Sequence, residues 1–158
     1  MEITTHLDAY NLILDKLNEN NINFIIIRGF KYLPKKPDTD LDIIIKPNDY
    51  SKFSDLIKKL SKEKLIKLSK KKVYNYNEKE YFYLPFFTHE RFINGEHLPG
   101  RRYRFDTYSD LFFFESKNNA FIVNSLFKNY LFKNKIKVNN YFIPDPVSEI
   151  ILLIFRNI

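Results

Sequence analysis

Apolar residues recur every three or four positions near the start of the chain. Between Thr5 and Asn20 they fall on one face of an amphipathic helix, at Leu7, Tyr10, Leu14 and Leu17. An unbroken apolar run of strand length follows at Phe24-Ile25-Ile26-Ile27. Such a run is typical of a central strand that is buried on both faces. The opening pattern therefore predicts a helix followed by an interior strand.

The next segment repeats the order of strand and helix. Arg28-Gly29-Phe30 leads into a loop with two prolines, which resist both helix and interior strand. A second strand is predicted from Leu41 to Ile45. Pro47-Asn48-Asp49 then begins a helix with an apolar stripe from Tyr50 to Leu60, which we interpret as core.

The second half of the chain predicts short strands and two further helices. Alternating apolar and polar residues predict strands in three segments, 73–76, 81–84 and 102–107. A helix is predicted over 124–132, followed by two short strands that meet in a tight turn at 138–141. Asp145-Pro146 is typical of a helix start, because the acid can cap the helix and proline suits its first turn.

Together these elements predict an α/β (α+β) fold in which helices flank a small mixed β-sheet. Residues 1–158 contain no repeat, low-complexity linker or visible boundary, so we expect a single domain. The last helix stays apolar up to Ile158 without a terminating signal. We therefore expect this domain to be the N-terminal part of a longer polypeptide, with a further C-terminal domain.

Composition narrows the chemistry that the chain can perform. Hydrophobic residues make up 44% and aromatic residues 17%, which is typical of a packed globular protein. Because there is no cysteine, a metal ion must bind to oxygen or to one of the three histidines. The N-terminus is polar and lacks the pattern of a signal peptide, and no apolar run is long enough to span a bilayer. A cytoplasmic protein is expected.

The formal charge of +7 leaves two interpretations open. Clustered Lys and Arg side chains can replace the counterions of nucleic acid. However, many of the lysines fall between Lys58 and Lys72, a stretch that is typical of the solvent face of a helix and the turn after it. We favour a solvated face and keep nucleic acid as a less favoured partner.

The most informative residues are the carboxylates at the start of the second strand. Asp40 and Asp42 are two residues apart, so a strand presents them on the same face, where they repel each other. A hard divalent cation such as Mg²⁺ relieves this repulsion and keeps positions free for substrate phosphates. Asp106 lies in an alternating segment among arginines and is the best candidate for a third ligand.

This arrangement resembles the nucleotidyltransferase superfamily that includes DNA polymerase beta. The superfamily motif is a helix, a strand ending in glycine, a loop, and then two acids that alternate with hydrophobic residues. Gly29 and Asp40-Leu41-Asp42-Ile43 match that motif, and Arg104-Phe105-Asp106-Thr107 partly echoes the strand of the third acid. Within the superfamily, the chain most resembles nucleotidyltransferase-like proteins of surface polysaccharide gene clusters.

The resemblance implies a nucleotidyltransferase-like fold and a metal-dependent reaction. A nucleoside monophosphate would pass from a nucleoside triphosphate to a hydroxyl or phosphate of a small-molecule or glycan acceptor. Mg²⁺, or Mn²⁺, would bind to three catalytic acids, Asp40, Asp42 and Asp106. The nucleotide would contact five further residues, Arg28, Gly29, Lys31, Thr39 and Arg104.

Several alternatives remain open at the level of the sequence. The same acids would suit a phosphotransferase that uses a nucleotide-activated donor in glycan assembly. Phe30 stands where the superfamily has a second small residue, which favours a non-catalytic binding module of the same fold. Asp106 would equally suit a structural ion pair with Arg102 or Arg104, and Gly29 would equally suit a purely conformational role. His89 and His97 lack a familiar metal-ligand spacing.

Overall fold

The computed structural model describes residues 6–31, 33, 40–76, 79–89, 102–114 and 120–156. The helices in these residues are α1 (His6–Glu19), α2 (Tyr50–Lys62), α3 (Ser125–Asn134) and α4 (Pro146–Arg156), and a 3-10 turn (Pro47–Asp49) precedes α2. The strands are β1 (Phe24–Arg28), β2 (Asp40–Ile45), β3 (Ile66–Leu68), β4 (Lys72–Tyr76), β5 (Lys79–His89), β6 (Arg102–Tyr108), β7 (Phe112–Phe114), β8 (Ala120–Ile122), β9 (Ile136–Val138) and β10 (Tyr141–Ile143).

Six of the strands form one mixed sheet. Its order is β1-β2-β6-β5-β3, and β4 pairs with β5 beside β3. Strand β2 runs antiparallel to β1 and parallel to β6, while β5 runs antiparallel to β6. Strands β7 and β8 form a separate hairpin, as do β9 and β10. The mixed sheet and its helices confirm the expected α/β class.

The position of β1 corrects one expectation. Its apolar residues Phe24 to Ile27 are buried, as predicted, but β1 lies at the edge of the sheet and not in its centre. The edge is covered because β10 lies alongside β1, with the rings of Phe24 and Phe142 5.7 Å apart. The apolar run therefore predicted the burial of β1 correctly, but it did not predict the position of β1 in the sheet.

One face of the sheet packs against α1 and α2. The buried side chains of this layer include Leu41 and Ile43 from β2, Phe105 from β6, and residues of both helices. The ring of Tyr10 in α1 lies 5.1 Å from that of Phe105, and the rings of Phe105 and Phe86 stack at 4.8 Å. We call this side the helical face. It contains the larger part of the hydrophobic core.

The opposite face has two parts. At one end, Ile25 and Ile44 pack with Leu131 of α3 and Leu152 of α4 in a smaller apolar cluster. At the other end, the same face presents charged side chains of β2 and β6. Because side chains alternate along a strand, Asp42 lies on the same side as Ile44. We call this second part the acidic face.

Polar side chains cap the two helices in the second half of the chain, and the cap predicted at Asp145 is confirmed. The side chain of Asn124 caps α3 by accepting a hydrogen bond from the backbone N–H of Leu126 at 2.7 Å. Asp145 caps α4 by accepting from Val147 and Ser148. None of the helices described combines the length and the apolar composition needed to cross a bilayer.

The basic stretch from Lys58 to Lys72 is more spread out than expected. Its lysines are exposed, which agrees with a solvated face. However, they lie on the end of α2, on β3 and at the start of β4, not on a single helix and its turn. They therefore do not form one continuous helical surface for a polyanion.

Candidate functional site

The three acids lie on two neighbouring parallel strands. Strand β2 carries Asp40 and Asp42, and β6 carries Asp106. In the register of the sheet, Asp42 is directly opposite Asp106, and Asp40 is opposite Arg104. Neighbouring strands are about 4.8 Å apart, so opposite residues of a parallel pair place their side chains side by side. The fold thus brings the sequence-predicted acids to one face.

A β-bulge brings Arg28 to the same face. Ile26 pairs with Ile43, but the next pair joins Arg28 to Asp42, so Ile27 is an extra residue in β1. Strict alternation would place Arg28 with Ile26 in the core of the helical face. Instead, its Nη1 lies 3.6 Å from Oδ2 of Asp42. The bulge therefore supplies a cation next to the second acid.

Gly29 is required by the backbone immediately after that arginine. Its φ angle is +82°, in the left-handed region that side chains disfavour. A Cβ atom at this position would lie 2.1 Å from the carbonyl oxygen of Asp40 and 2.9 Å from Cδ2 of Leu41. The close approach allows the end of β1 to pack against the start of β2. Gly29 thus has a structural role regardless of any contact with a nucleotide.

Phe30, which departs from the superfamily motif, is directed away from the acids. Its side chain is partly buried and packs against the hydrophobic core of the helical face. It therefore anchors the segment after Gly29 on the side opposite Asp42. The space beside the acidic face is not filled by the phenyl ring.

Asp106 is held by two neighbours. The hydroxyl of Tyr83 donates a hydrogen bond to Oδ1 of Asp106 at 2.7 Å. Nε of Arg104 donates to the same oxygen at 2.8 Å, and Nη2 of Arg104 donates to the Tyr83 hydroxyl at 2.6 Å. Both bonds to the carboxylate go to Oδ1, so among the described residues Oδ2 remains without a hydrogen-bond partner.

The environment keeps the Tyr83 hydroxyl and the Arg104 guanidinium protonated. Burial, together with the hydrogen bond to Asp106, raises the pKa of Tyr83 to about 12, so its hydroxyl remains a donor at neutral pH. Burial lowers the pKa of Arg104, but the hydrogen bond with Tyr83 and the charge of Asp106 outweigh that effect and raise it overall. Burial and then the charges of Asp42 and Asp106 raise the pKa of Tyr108. Tyr108 therefore lies within the electric field of both acids.

The oxygen donors at this face fit Mg²⁺ better than any softer metal. Carboxylate oxygens are the ligands that Mg²⁺ prefers, and Asp42 and Asp106 offer them from adjacent strands. In the described part of the chain, however, no three His, Asp or Glu side chains converge closely enough to enclose a metal ion. The described residues therefore offer Mg²⁺ two carboxylates on adjacent strands, and not an enclosing set of three.

The remaining candidates are partly outside the described residues. Lys31 is described and exposed. Thr39 lies outside the described residues, as does the histidine at 97. His89 ends β5, but its side chain is not described. The structure therefore brings together Arg28, Gly29 and Arg104 with the three acids.

Tyr83 and Tyr108 are residues at this site that the sequence did not indicate. They are opposite each other in the register of β5 and β6, and their rings are 5.2 Å apart. Alternation around position 83 predicts only a strand, because nothing local distinguishes a ring that faces a carboxylate from one that faces the core. The pairing of β5 with β6 supplies that information, and it depends on residues more than 20 positions apart.

The chain matches no protein-family model, no curated protein and no solved structure. A functional assignment therefore depends on the chemistry of the acidic face. That face combines two carboxylates in register, an arginine beside each of them, and a tyrosine that fixes the orientation of Asp106.

Proposed function

We propose that the protein is a metal-dependent nucleotidyltransferase. It would transfer a nucleoside monophosphate from a nucleoside triphosphate to a hydroxyl or phosphate of an acceptor, in the synthesis of a surface glycan. One observation carries the proposal: Asp42 and Asp106 are opposite each other on parallel strands, and each has an arginine on the same face. The resemblance of Gly29 and Asp40-Leu41-Asp42-Ile43 to the superfamily motif supports it. The cytoplasmic location stays a prediction.

Each residue has a defined part in this reaction. Asp42 and Asp106 would hold Mg²⁺ or Mn²⁺, and Asp40, on the same face, would join them only when the nucleotide binds. The metal when bound offsets the negative charge of the phosphates and of the leaving pyrophosphate. Oδ2 of Asp106 is the oxygen that can accept the proton of the acceptor hydroxyl, because Oδ1 is already engaged. Arg28 and Arg104 lie beside the acids and can donate to phosphate oxygens.

The arginines also explain how the acids are tolerated before the substrate binds. Arg104 neutralises Asp106, and Arg28 lies 3.6 Å from Asp42. Both arginine side chains are substantially exposed, at 40% and 65%, so they can be redirected to a ligand at little cost. The face therefore carries its own counterions in the metal-free protein.

The same ion pairs favour a second candidate, a non-catalytic binding module of the same fold. In that case Arg104 and Tyr83 would satisfy Asp106 permanently, and no metal would be needed. The two functions differ in one measurable respect. The transferase binds nucleotide only with a divalent cation, whereas the module binds it equally well with a chelator present. A phosphotransferase with a nucleotide-activated donor would need the metal but would prefer a nucleoside diphosphate adduct.

Calorimetry tests the proposal directly. Each of the common nucleoside triphosphates is titrated into the protein with Mg²⁺, with Mn²⁺ and with a chelator. We expect saturable binding of at least one triphosphate with either metal and no saturable heat with the chelator. Release of pyrophosphate from the bound triphosphate in the presence of a sugar phosphate acceptor would establish turnover. Binding of equal strength with and without metal would reject the transferase.

Replacing Tyr83 by Phe tests how Asp106 is positioned. The variant removes the hydroxyl that donates to Oδ1 of Asp106 and accepts from Arg104. We expect the affinity for Mg²⁺ with nucleotide to fall about fivefold, because Asp106 loses one of the two donors that orient it and keeps only Arg104. The free energy of unfolding should fall by only about 1 kcal/mol, the value of one hydrogen bond. Calorimetry and a thermal melt measure the two effects.

Tyr130→Phe is the matched control for this substitution. Tyr130 lies on α3 and is 43% exposed, so loss of its hydroxyl should change neither quantity. If Tyr83→Phe lowered stability but left metal and nucleotide affinity unchanged, Tyr83 would be a structural residue only.

A further inference from the structure

A cleft lies at the other end of the same sheet from the acidic face. It has a volume of about 410 Å³ and is bounded by α3 and by the segments that flank β1, β2 and β6. Lys46, which lines it, follows Asp42 by four residues of nearly continuous strand, a distance of about 13 Å. The apolar cluster around Ile44 and Leu131 lies on the face between the two regions. The cleft is therefore separate from the acidic face.

The charges that line this cleft are not balanced. Lys46, Lys128 and Lys133 contribute three positive charges, and Asp110 contributes one negative charge. Asp110 is already engaged, because its Oδ2 lies 2.7 Å from Nζ of Lys128 and its Oδ1 accepts the backbone N–H of Leu111. Among the described residues, neither Lys46 nor Lys133 forms an ion pair. Two cations thus remain to attract an anion.

Lys135, which lies behind the cleft wall, experiences this excess of charge. Its ammonium is half-buried and donates to Oδ1 of Asn23, a residue that lines the cleft. Burial, followed by the charge of Lys46, lowers the pKa of Lys135 to about 8, against a smaller opposing effect of Asp49. The ammonium also lies 3.8 Å from the centre of the Phe142 ring, so its position is fixed. A bound anion would reduce the repulsion between Lys46 and Lys135.

The other lining groups indicate what kind of anion fits. The Oδ1 atom of Asn23 accepts from Lys135, which leaves its Nδ2 group as the donor that it can offer to a ligand. Phe132 contributes an apolar wall beside the cations. The volume is within the range of small-molecule sites and is too small for a polymer to be enclosed. Cations, an amide donor and one aromatic wall suit a phosphate group attached to a small organic molecule.

We propose that this cleft is a second binding site, which accepts a small molecule that carries a phosphate or diphosphate group. Lys46 and Lys133 bind the phosphate oxygens, and Asn23 donates a further hydrogen bond. The site needs no divalent cation, because the lysines supply the positive charge. It is independent of the transferase activity proposed above.

Titration of inorganic pyrophosphate into the full chain, with a chelator present, tests the site. We expect saturable binding to a single site. The double variant Lys46→Gln, Lys133→Gln should weaken it at least about tenfold, since each lysine supplies a charge-assisted hydrogen bond. Both side chains are exposed, so the variant should fold, and a thermal melt verifies this. The pKa of Lys135, followed by NMR of its ε carbon, should rise when pyrophosphate binds.

A charge-matched control separates this site from general electrostatic attraction. Lys62→Gln, Lys67→Gln changes the net charge equally but alters exposed lysines of α2 and β3. It should leave pyrophosphate binding within about twofold. Equal weakening by both double variants, or no saturable binding at millimolar pyrophosphate, would overturn the proposal. Tighter binding of a short single-stranded oligonucleotide than of pyrophosphate would instead assign the lysines to nucleic acid and also overturn it.

One further measurement keeps this proposal distinct from the transferase. Asp42→Asn should leave pyrophosphate binding in chelator unchanged, because Asp42 does not line the cleft. A failure of nucleotide binding at the acidic face would therefore not affect the result at the cleft. If Asp42→Asn changed pyrophosphate affinity as much as the lysine variant does, the two sites would not be separate and the proposal would fail.

Discussion

Asp42→Asn is expected to weaken the binding of a nucleoside triphosphate with Mg²⁺ about 100-fold, or roughly 2.7 kcal/mol. The substitution keeps the shape of the side chain but removes the charge that a hard cation needs. Asp42 is opposite Asp106 and its side chain is only 10% exposed, so the substitution removes one of the two carboxylates that face each other across β2 and β6. Calorimetry with and without metal measures the effect.

The fold should survive this change. Asn at position 42 loses the attraction of Arg28, but that guanidinium is 65% exposed and 3.6 Å away, so the pair contributes little. The variant also relieves repulsion from Asp40 and Asp106. The net change in the free energy of unfolding should stay within about 1 kcal/mol.

An exposed acid provides the control. Asp55 lies on α2 with a side chain that is 72% exposed, so Asp55→Asn should leave metal and nucleotide binding intact. Unfolding of Asp42→Asn, or nucleotide affinity equal to that of the unmodified protein, would show that Asp42 is structural and that the acidic face is not a metal site.

Gly29→Ala is expected to cause the largest loss of stability, about 3 kcal/mol. Two costs combine at this position. The φ angle of +82° disfavours any side chain, and the new Cβ would lie 2.1 Å from the carbonyl oxygen of Asp40. Since the backbone of Asp40 would have to move, the start of β2 would shift with it. For a domain of this size the melting temperature should fall by about 6 to 12 °C.

Asn21→Ala separates the two costs. Asn21 also has a positive φ angle, of 52°, but it is exposed, so alanine meets only the conformational penalty there. A loss of about 1 kcal/mol is expected for this variant. If Gly29→Ala were no worse than Asn21→Ala, the close contact with Asp40 would not limit the protein, and β1 and β2 would be more loosely paired than the structure indicates.

Local pattern was sufficient to predict the elements that carry the acids. The helical spacing before β1, the apolar run of β1 and the alternation around Asp42 and Asp106 each depend on neighbours within a few residues. The Asx cap of α4 is equally local. For the same reason the sequence placed Asp40 and Asp42 on one face, because strand alternation alone determines it.

Features that depend on distant pairing could not be predicted. The bulge at Ile27 is visible only in the register between β1 and β2, and without it Arg28 would be assigned to the opposite face. The same holds for Tyr83, which reaches Asp106 through the pairing of β5 with β6. No property of the segments themselves reveals which strands are neighbours.

Pro85 lies inside a strand, which its neighbours in the sequence do not predict. Strand β5 continues through Pro85 to His89, although proline normally ends a strand. On its outer edge β5 pairs with β4 up to Tyr83 and with β3 from Phe86. The carbonyl of Pro85 accepts from Ser69 on that edge, so the missing N–H points to the gap between the two partners. The proline is tolerated because no ladder hydrogen bond is required there.

The bulge in β1 also limits how this site could be transferred to another protein. A designer who grafts the pair of facing aspartates onto an idealised sheet, with regular strands throughout, would obtain the carboxylates without their arginine. The guanidinium would enter the apolar layer and destabilise the host. The transferable unit is therefore the segment from Phe24 to Gly29 together with β2 and β6. In this unit the extra residue in β1 places an arginine beside the carboxylates of β2 and balances their charge.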